Sequence, residues 1–156
     1  MLKSYLQSFS SLKTGGFYSY SSNVLNKVPI KQISKADQQI FIISTDTIYN
    51  LTNEYYKKRN KFLHRLVDSF EDIKITIAIE NFDELDFKGF IKELLKQKIN
   101  LPLILQDEWE EYFYGYKSEI AALKAAIEKT DKEIDRIVYE LYGLTEEEIK
   151  IVEESV

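Results

Sequence analysis

Cysteine is absent from this chain of 156 residues, so neither a disulfide framework nor a thiolate metal site is available to it. Proline occurs twice, at Pro29 and Pro102, and glycine five times. Gly15 and Gly16 form the one glycine pair, without the strand-to-helix setting that a phosphate-cradling loop requires. Histidine occurs once. His64 sits beside Arg65 on a charged stretch, lacks partners for metal or acid–base chemistry, and reads as a solvated helix position. No apolar run approaches the ~20 residues of a membrane span, the one from Ile40 to Ile43 being short and internal. With no signal peptide evident, the expectation is a cytoplasmic protein without a membrane partner. Acids are the last scarcity: the first 36 residues hold five lysines and no Asp or Glu.

The remainder is ordinary for a globular chain, with 44% apolar and 30% charged residues. The length suits one domain burying roughly 68–70% of its unfolded surface. The net charge of −5 conceals a split. Residues 1–75 carry eleven Lys/Arg against six Asp/Glu, and residues 76–156 carry ten against twenty, so the halves are +5 and −10. A polyanion is attracted by the first and repelled by the second.

Residues 1–33 are irregular in pattern. Leu2, Tyr5, Leu6 and Phe9 predict a short amphipathic helix, Lys13 to Gly16 a turn, and Phe17-Tyr18-Ser19-Tyr20 a short aromatic strand. Val28 precedes Pro29 and is therefore extended. Ser34, with Asp37 three residues on, caps a long helix over residues 34–70. Ile48, Leu51, Tyr55, Phe62, Leu66 and Phe70 line one face of it, interrupted by Lys58 and Arg59. Ile73, Ile75, Ile77 and Ile79 alternate with Lys74, Thr76 and Ala78, which predicts a half-buried strand. Asp86 caps a short helix over residues 87–97 with Phe90, Ile91, Leu94 and Leu95 inward. After Pro102 a second long helix begins near Gln106.

That second helix carries the strongest pattern in the chain. Ile120, Ile127, Ile134 and Leu141 recur every seven residues, and Leu123, Thr130 and Ile137 form a second series, extended backwards by Phe113 and Tyr116. This is a seam for packing along another helix at a shallow angle. Gly143 stops the helix, and Thr145 with Glu148 makes a capping box for a short final one. The expected fold is mainly α: two long antiparallel coiled-coil-like helices plus short helices, with a small β element near the N-terminus. Residues 1–33 and 34–156 are its expected regions, within a single compact unit.

Some of these residues also carry a family resemblance. Glu133-Ile134-Asp135, the run Val138-Tyr139-Glu140-Leu141-Tyr142-Gly143-Leu144-Thr145, Glu148-Ile149 and Ile151-Val152-Glu153 resemble one particular C-terminus. It is that of type IIG restriction–modification proteins and related adenine-specific DNA methyltransferases with a TaqI-like specificity domain. The run GGFYSYSSNVLNKVPI from Gly15 is similar to a segment near the end of their target-recognition region, and residues 85–113 agree more loosely. The resemblance implies a non-catalytic piece of a DNA modification or restriction system: the back end of a target-recognition domain and the helices that brace it. Family members carry a methyltransferase domain and a full recognition domain upstream, whereas Met1 here falls inside the recognition region. The expectation is a split or truncated piece, acting with a methyltransferase or restriction subunit and binding double-stranded DNA weakly by itself.

Catalysis is not expected. The Asn/Asp/Ser-Pro-Pro-aromatic tetrapeptide of an adenine methyltransferase is missing, and Asp72-Ile73-Lys74 and Glu148-Ile149-Lys150 lack the Pro-Asp companion of a metal-dependent nuclease. No cofactor or metal is implied. The expected DNA-binding residues are Lys13, Thr14, Gly15, Gly16, Tyr18, Tyr20 and Lys27, joined by Asn23. They combine phosphate-contacting cations, aromatic side chains that lie against sugars, and glycines that let backbone approach closely. The competing reading has the aromatics packing the loop and the lysines as ordinary surface. Trp109, Tyr112, Phe113, Tyr114 and Tyr116 form a dense aromatic run, of which Phe113, Tyr116 and Tyr112 read as core at helical spacing before the run reads as a ligand cage. The charges from Glu128 to Arg136 read as a solvated face, or else as a docking surface for a basic partner. From a different class comes the alternative of a helical protein–protein interaction module without DNA binding.

Overall fold

The computed structural model describes residues 10–13, 17–19, 21–26, 28 and 30–154. Their elements are β1 (Ser11–Lys13), β2 (Phe17–Ser19), α1 (Ser22–Leu25), α2 (Lys35–Ser69), α3 (Ile77–Glu80), a 3-10 turn (Phe82–Glu84), α4 (Phe87–Lys96), α5 (Leu103–Tyr142) and α6 (Glu146–Glu154). The fold is mainly α, as the periodicity predicts, with a two-stranded antiparallel hairpin near the N-terminus. The helix expected between Leu2 and Phe9 lies outside the described residues. The chain divides into two compact units: Met1–Gln39 with Asp135–Val156, and Ile40–Ile134.

The Ile40–Ile134 unit is built on α2 and α5 running antiparallel. Phe70 packs on Trp109 at 5.1 Å, Phe62 on Tyr112 and Tyr116 at 5.7 Å, and Lys58 reaches Glu119 at 2.7 Å. Partners thus descend along one helix as they ascend along the other. Between the helices and α4 lies an aromatic core in which Phe62, Phe82, Phe90 and Phe113 have no exposed surface. Phe62 stacks on Phe82 at 3.8 Å, and Phe113 meets Phe90 at 5.2 Å. Such ring pairs add about 0.5–1.5 kcal/mol each beyond their buried area. The seam holds along α5: Phe113 and Ile120 are fully buried, and Tyr116, Leu123, Ile127, Thr130 and Ile134 are half-buried. Gly115 has open space beside it, so the helix continues through it unhindered.

Two expectations need correction here. Residues 73–79 are not a strand. After α2 the chain turns through Asp72 at φ 63°, and Thr76 then accepts a hydrogen bond from the Ile79 amide at 3.3 Å, capping the single turn α3. Ile79 is buried but Ile77 is 80% exposed, so the alternation does not describe one inward face. A lone strand would leave its amides and carbonyls unpaired, whereas a capped turn satisfies them locally. Secondly, α5 starts at Leu103 rather than near Gln106. Pro102 supplies a preset φ and accepts from the Leu105 amide at 2.9 Å, so the helix begins directly after it. The cap on α4 is as expected, Asp86 accepting from the Gly89 amide at 2.7 Å. A Cβ at Gly89 would fall 2.9 Å from that carboxylate, so a side chain there would make the Asp86 carboxylate shift.

In the other unit, Ser34 caps α2 by accepting from the Asp37 amide at 3.2 Å. At the far end of α5, Gly143 takes φ 68°. Its amide donates to the Glu140 carbonyl at 3.1 Å and that of Leu144 to Tyr139 at 3.0 Å, a Schellman stop. Thr145 and Glu148 form the reciprocal capping box, at 2.9 and 3.3 Å. The Lys31 ammonium donates to the Leu141 carbonyl and the Lys31 amide to the Tyr142 hydroxyl at 3.2 Å. A cation on the last carbonyls of a helix is favoured by the helix dipole. These bonds join the segment before α2 to the C-terminal end of α5.

Burial along the seam predicts a graded response to one substitution. Ile120→Asp, at a site with no exposed surface, removes at least ~3–5 kcal/mol of stability. Ile134→Asp, at a half-buried site, removes about 1–3 kcal/mol. Urea unfolding of both variants checks the order, and equal losses would contradict it.

Candidate nucleic-acid interface

Of the residues expected to touch DNA, the structure describes Tyr18 and the backbone of Lys13. They sit on adjacent strands of the hairpin, whose register pairs Leu12 with Tyr18 and Lys13 with Phe17. Tyr18 is exposed at 36%. Asn23, in α1, is exposed as well. Thr14, Gly15, Gly16, Tyr20 and Lys27 lie outside the described residues.

The structure draws out a second cationic feature that periodicity alone passes over. From Lys57 to Arg65, α2 reads KKRNKFLHR, five Lys/Arg and one His without an acid. Helical geometry sorts these side chains. Lys58 turns toward α5 and pairs with Glu119 at 2.7 Å, a hydrogen bond that holds its ammonium above its ordinary value. Arg59 turns toward α3, pairs with Glu80 at 3.2 Å and lies 5.0 Å from the Tyr56 ring centre. Lys57, Asn60, Lys61, His64, Arg65 and Asp68 instead line a surface groove. There Lys57 has a loose, exposed pair with Glu54 at 3.5 Å, and Lys61, His64 and Arg65 have no carboxylate partner among the described residues. The sequence signal for this feature is the acid-free run itself, within which Lys58 and Arg59 also interrupt an apolar face.

Arg65 also borders a notch formed with Glu108, Trp109 and Tyr112. Burial pushes the Tyr112 phenol above its ordinary range, a hydrogen bond with Tyr116 adds to this, and the Arg65 guanidinium opposes it. In the aromatic run 109–116, Phe113 is fully buried and Tyr112 and Tyr116 pack against the cluster, as expected, and Trp109 packs there with them. Tyr114 is the exception, 43% exposed with its hydroxyl toward the Phe87 amide.

A further ion pair fixes the segment after α3 to the helices. The Asp83 side chain is only 7% exposed and is paired with Lys124 of α5. Hydrogen bonding to Asp83 raises the Lys124 ammonium above its ordinary 10.5, against the opposing effect of burial. The second Asp83 oxygen, Oδ1, and the Arg59 Nε are buried without hydrogen-bond partners among the described residues. Lys124 is therefore part of the scaffold and not a neutral surface lysine. Among the described residues no group of three His, Asp or Glu is placed to hold a metal, and no helix is long and apolar enough to cross a membrane.

Residues 34–138 match the family described as a domain of unknown function, DUF8810, and the chain belongs to that family. The match starts at the Ser34 cap of α2 and takes in all of the Ile40–Ile134 unit. No curated protein and no solved structure matches the chain.

The Asp83–Lys124 pair yields a stability prediction. Lys124→Met leaves a buried carboxylate uncompensated and costs about 3 kcal/mol, at the low end for such pairs because Lys124 is half-exposed. Adding Asp83→Asn restores most of the loss. Because the Lys124 value is raised in the folded state, the pair's contribution is complete below pH 10.5 and is lost as pH rises through the raised value. Denaturant unfolding at neutral and alkaline pH reads both effects.

Proposed function

We propose that this chain is a non-catalytic, cytoplasmic target-recognition piece of an adenine-specific restriction–modification system. Its N-terminal hairpin region contacts DNA, and its helices brace that region. One observation carries the reading. The two stretches that resemble TaqI-like specificity domains, from Gly15 and from Glu133, fall almost wholly within one compact unit, joined by Lys31 at the end of α5. The acid-free first 36 residues lie in the same unit and supply charge that suits phosphate. No cofactor is required for this role. A protein partner, the methyltransferase or restriction subunit, completes it.

A specific feature favours the protein-docking side. The N-terminal half of α2 exposes Ile42 at 50%, Ile43 at 57% and Tyr49 at 66%, apolar surface of the kind that protein partners cover. A helical interaction module without DNA binding would use the same surface, so DNA binding is the discriminating property.

With part of a recognition surface, the chain binds duplex DNA weakly and nearly without sequence preference, near ~10⁻⁴–10⁻⁶ M. Replacing Lys13 and Lys27 together by Ala lowers affinity similarly on every sequence and flattens the salt dependence by about two units. A fluorescence titration at two salt concentrations makes the test. Absence of any salt-dependent binding would favour the interaction module.

A further inference from the structure

We infer that the outward face of α2 between Lys57 and Arg65 is a second, sequence-blind contact for the phosphate backbone of duplex DNA. It belongs to the helical unit and not to the hairpin. The inference rests on the DNA-binding reading above and extends it to a surface which that reading does not use.

The geometry comes from the helix itself. With 3.6 residues per turn, Lys57, Lys61 and His64 lie on the side of α2 opposite the buried Phe62 and Leu66. All three are exposed, as are Asn60 and Arg65, and the five line one groove. At ~1.5 Å per residue the stretch from Lys57 to Arg65 spans ~12 Å. A DNA strand advances ~3.4 Å along its axis per phosphate, so the row faces roughly three to four phosphates.

The two sides of this helix differ in how their cations are neutralised. This chain has 26 acids against 21 Lys/Arg, enough to neutralise every cation it buries or half-buries. On the inward side it does so, at Lys58–Glu119 and Arg59–Glu80. On the outward side it does not: among the described residues Lys61, His64 and Arg65 have no carboxylate partner, Arg65 bonding instead to the neutral Tyr112 phenol, and Lys57 holds only the exposed Glu54 contact. Asp68 at one end of the groove and Glu108 in the adjoining notch bound the cationic stretch. Within it, lysines and a guanidinium provide ionic contacts and Asn60 a neutral donor, the mixture that positions a protein on phosphate without reading bases.

The test uses the intact chain and two unrelated fluorescein-labelled duplexes of about 20 base pairs, titrated at several salt concentrations. Lys57→Ala with Lys61→Ala is the diagnostic pair, both sites being exposed and outside the core. Lys129→Ala with Lys132→Ala, on the acidic stretch of α5, is the control. The expected result is a salt slope flattened by about two units, with equal weakening on both duplexes, for the α2 pair alone. Binding by the α2 pair that matches the parent, while Lys13→Ala with Lys27→Ala still weakens it, would overturn this contact and leave the hairpin reading standing. Equal weakening by the control pair would overturn it too, showing a diffuse charge effect. No salt-dependent binding by the parent would overturn both readings.

Discussion

The packing of Phe62 is the contact on which the helical unit depends. It has no exposed surface and meets Phe82, Phe90, Tyr112, Phe113 and Tyr116 with ring centres 3.8 to 6.1 Å apart. Those partners come from the 3-10 turn, α4 and α5, so one side chain fixes the rotation of α2 against all three. Once that rotation is set, the remaining side chains of α2 have no freedom to choose their surroundings. Lys58 must face α5 and Arg59 must face α3, and each meets a carboxylate there. Lys57, Lys61 and His64 must face water. The cationic groove is thus a consequence of aromatic packing on the opposite side of the same helix.

The polar tier works alongside this core. Asp83 is nearly buried between the helices, held by Lys124, with Oδ1 unpartnered. A buried ion pair gains little over a well-packed apolar substitute, but breaking it is costly, so it tends to fix one arrangement rather than to add stability. Here it ties the loop after α3 to α5 at one register. Farther along the pair, burial thins. Ile120 is fully buried while Ile127, Thr130 and Ile134 are half-buried, because Phe82, Phe87 and Phe90 cover only one end of the helix pair.

Much of this was legible in the sequence, for reasons specific to each element. The two long helices declared themselves through apolar spacing, and their ends through local chemistry: Ser34, Asp86, Gly143 and the Thr145–Glu148 box all act within a few residues of where they stand. The isoleucines of residues 73–79 misled because alternation records spacing and not partners; no neighbouring strand exists among the described residues to pair with them, and Thr76 instead starts a helical turn. The candidate site was less legible. A cation's role depends on which way the helix turns it, and that is set by Phe62 and its distant partners. The sequence shows an acid-free run, yet only the fold separates the neutralised Lys58 and Arg59 from the outward Lys61, His64 and Arg65. Lys124 illustrates the converse, an apparently ordinary surface lysine that is committed to Asp83.

Under the proposed function, DNA meets this chain on particular lysines. Acetylation footprinting of the intact chain, with and without duplex DNA and read residue by residue by mass spectrometry, tests it most directly. Lys13, Lys27, Lys57 and Lys61 are expected to lose reactivity when duplex is added, whereas Lys129 and Lys132 on the acidic length of α5 keep theirs. Unchanged reactivity throughout, or protection centred on Lys129 and Lys132, would contradict it.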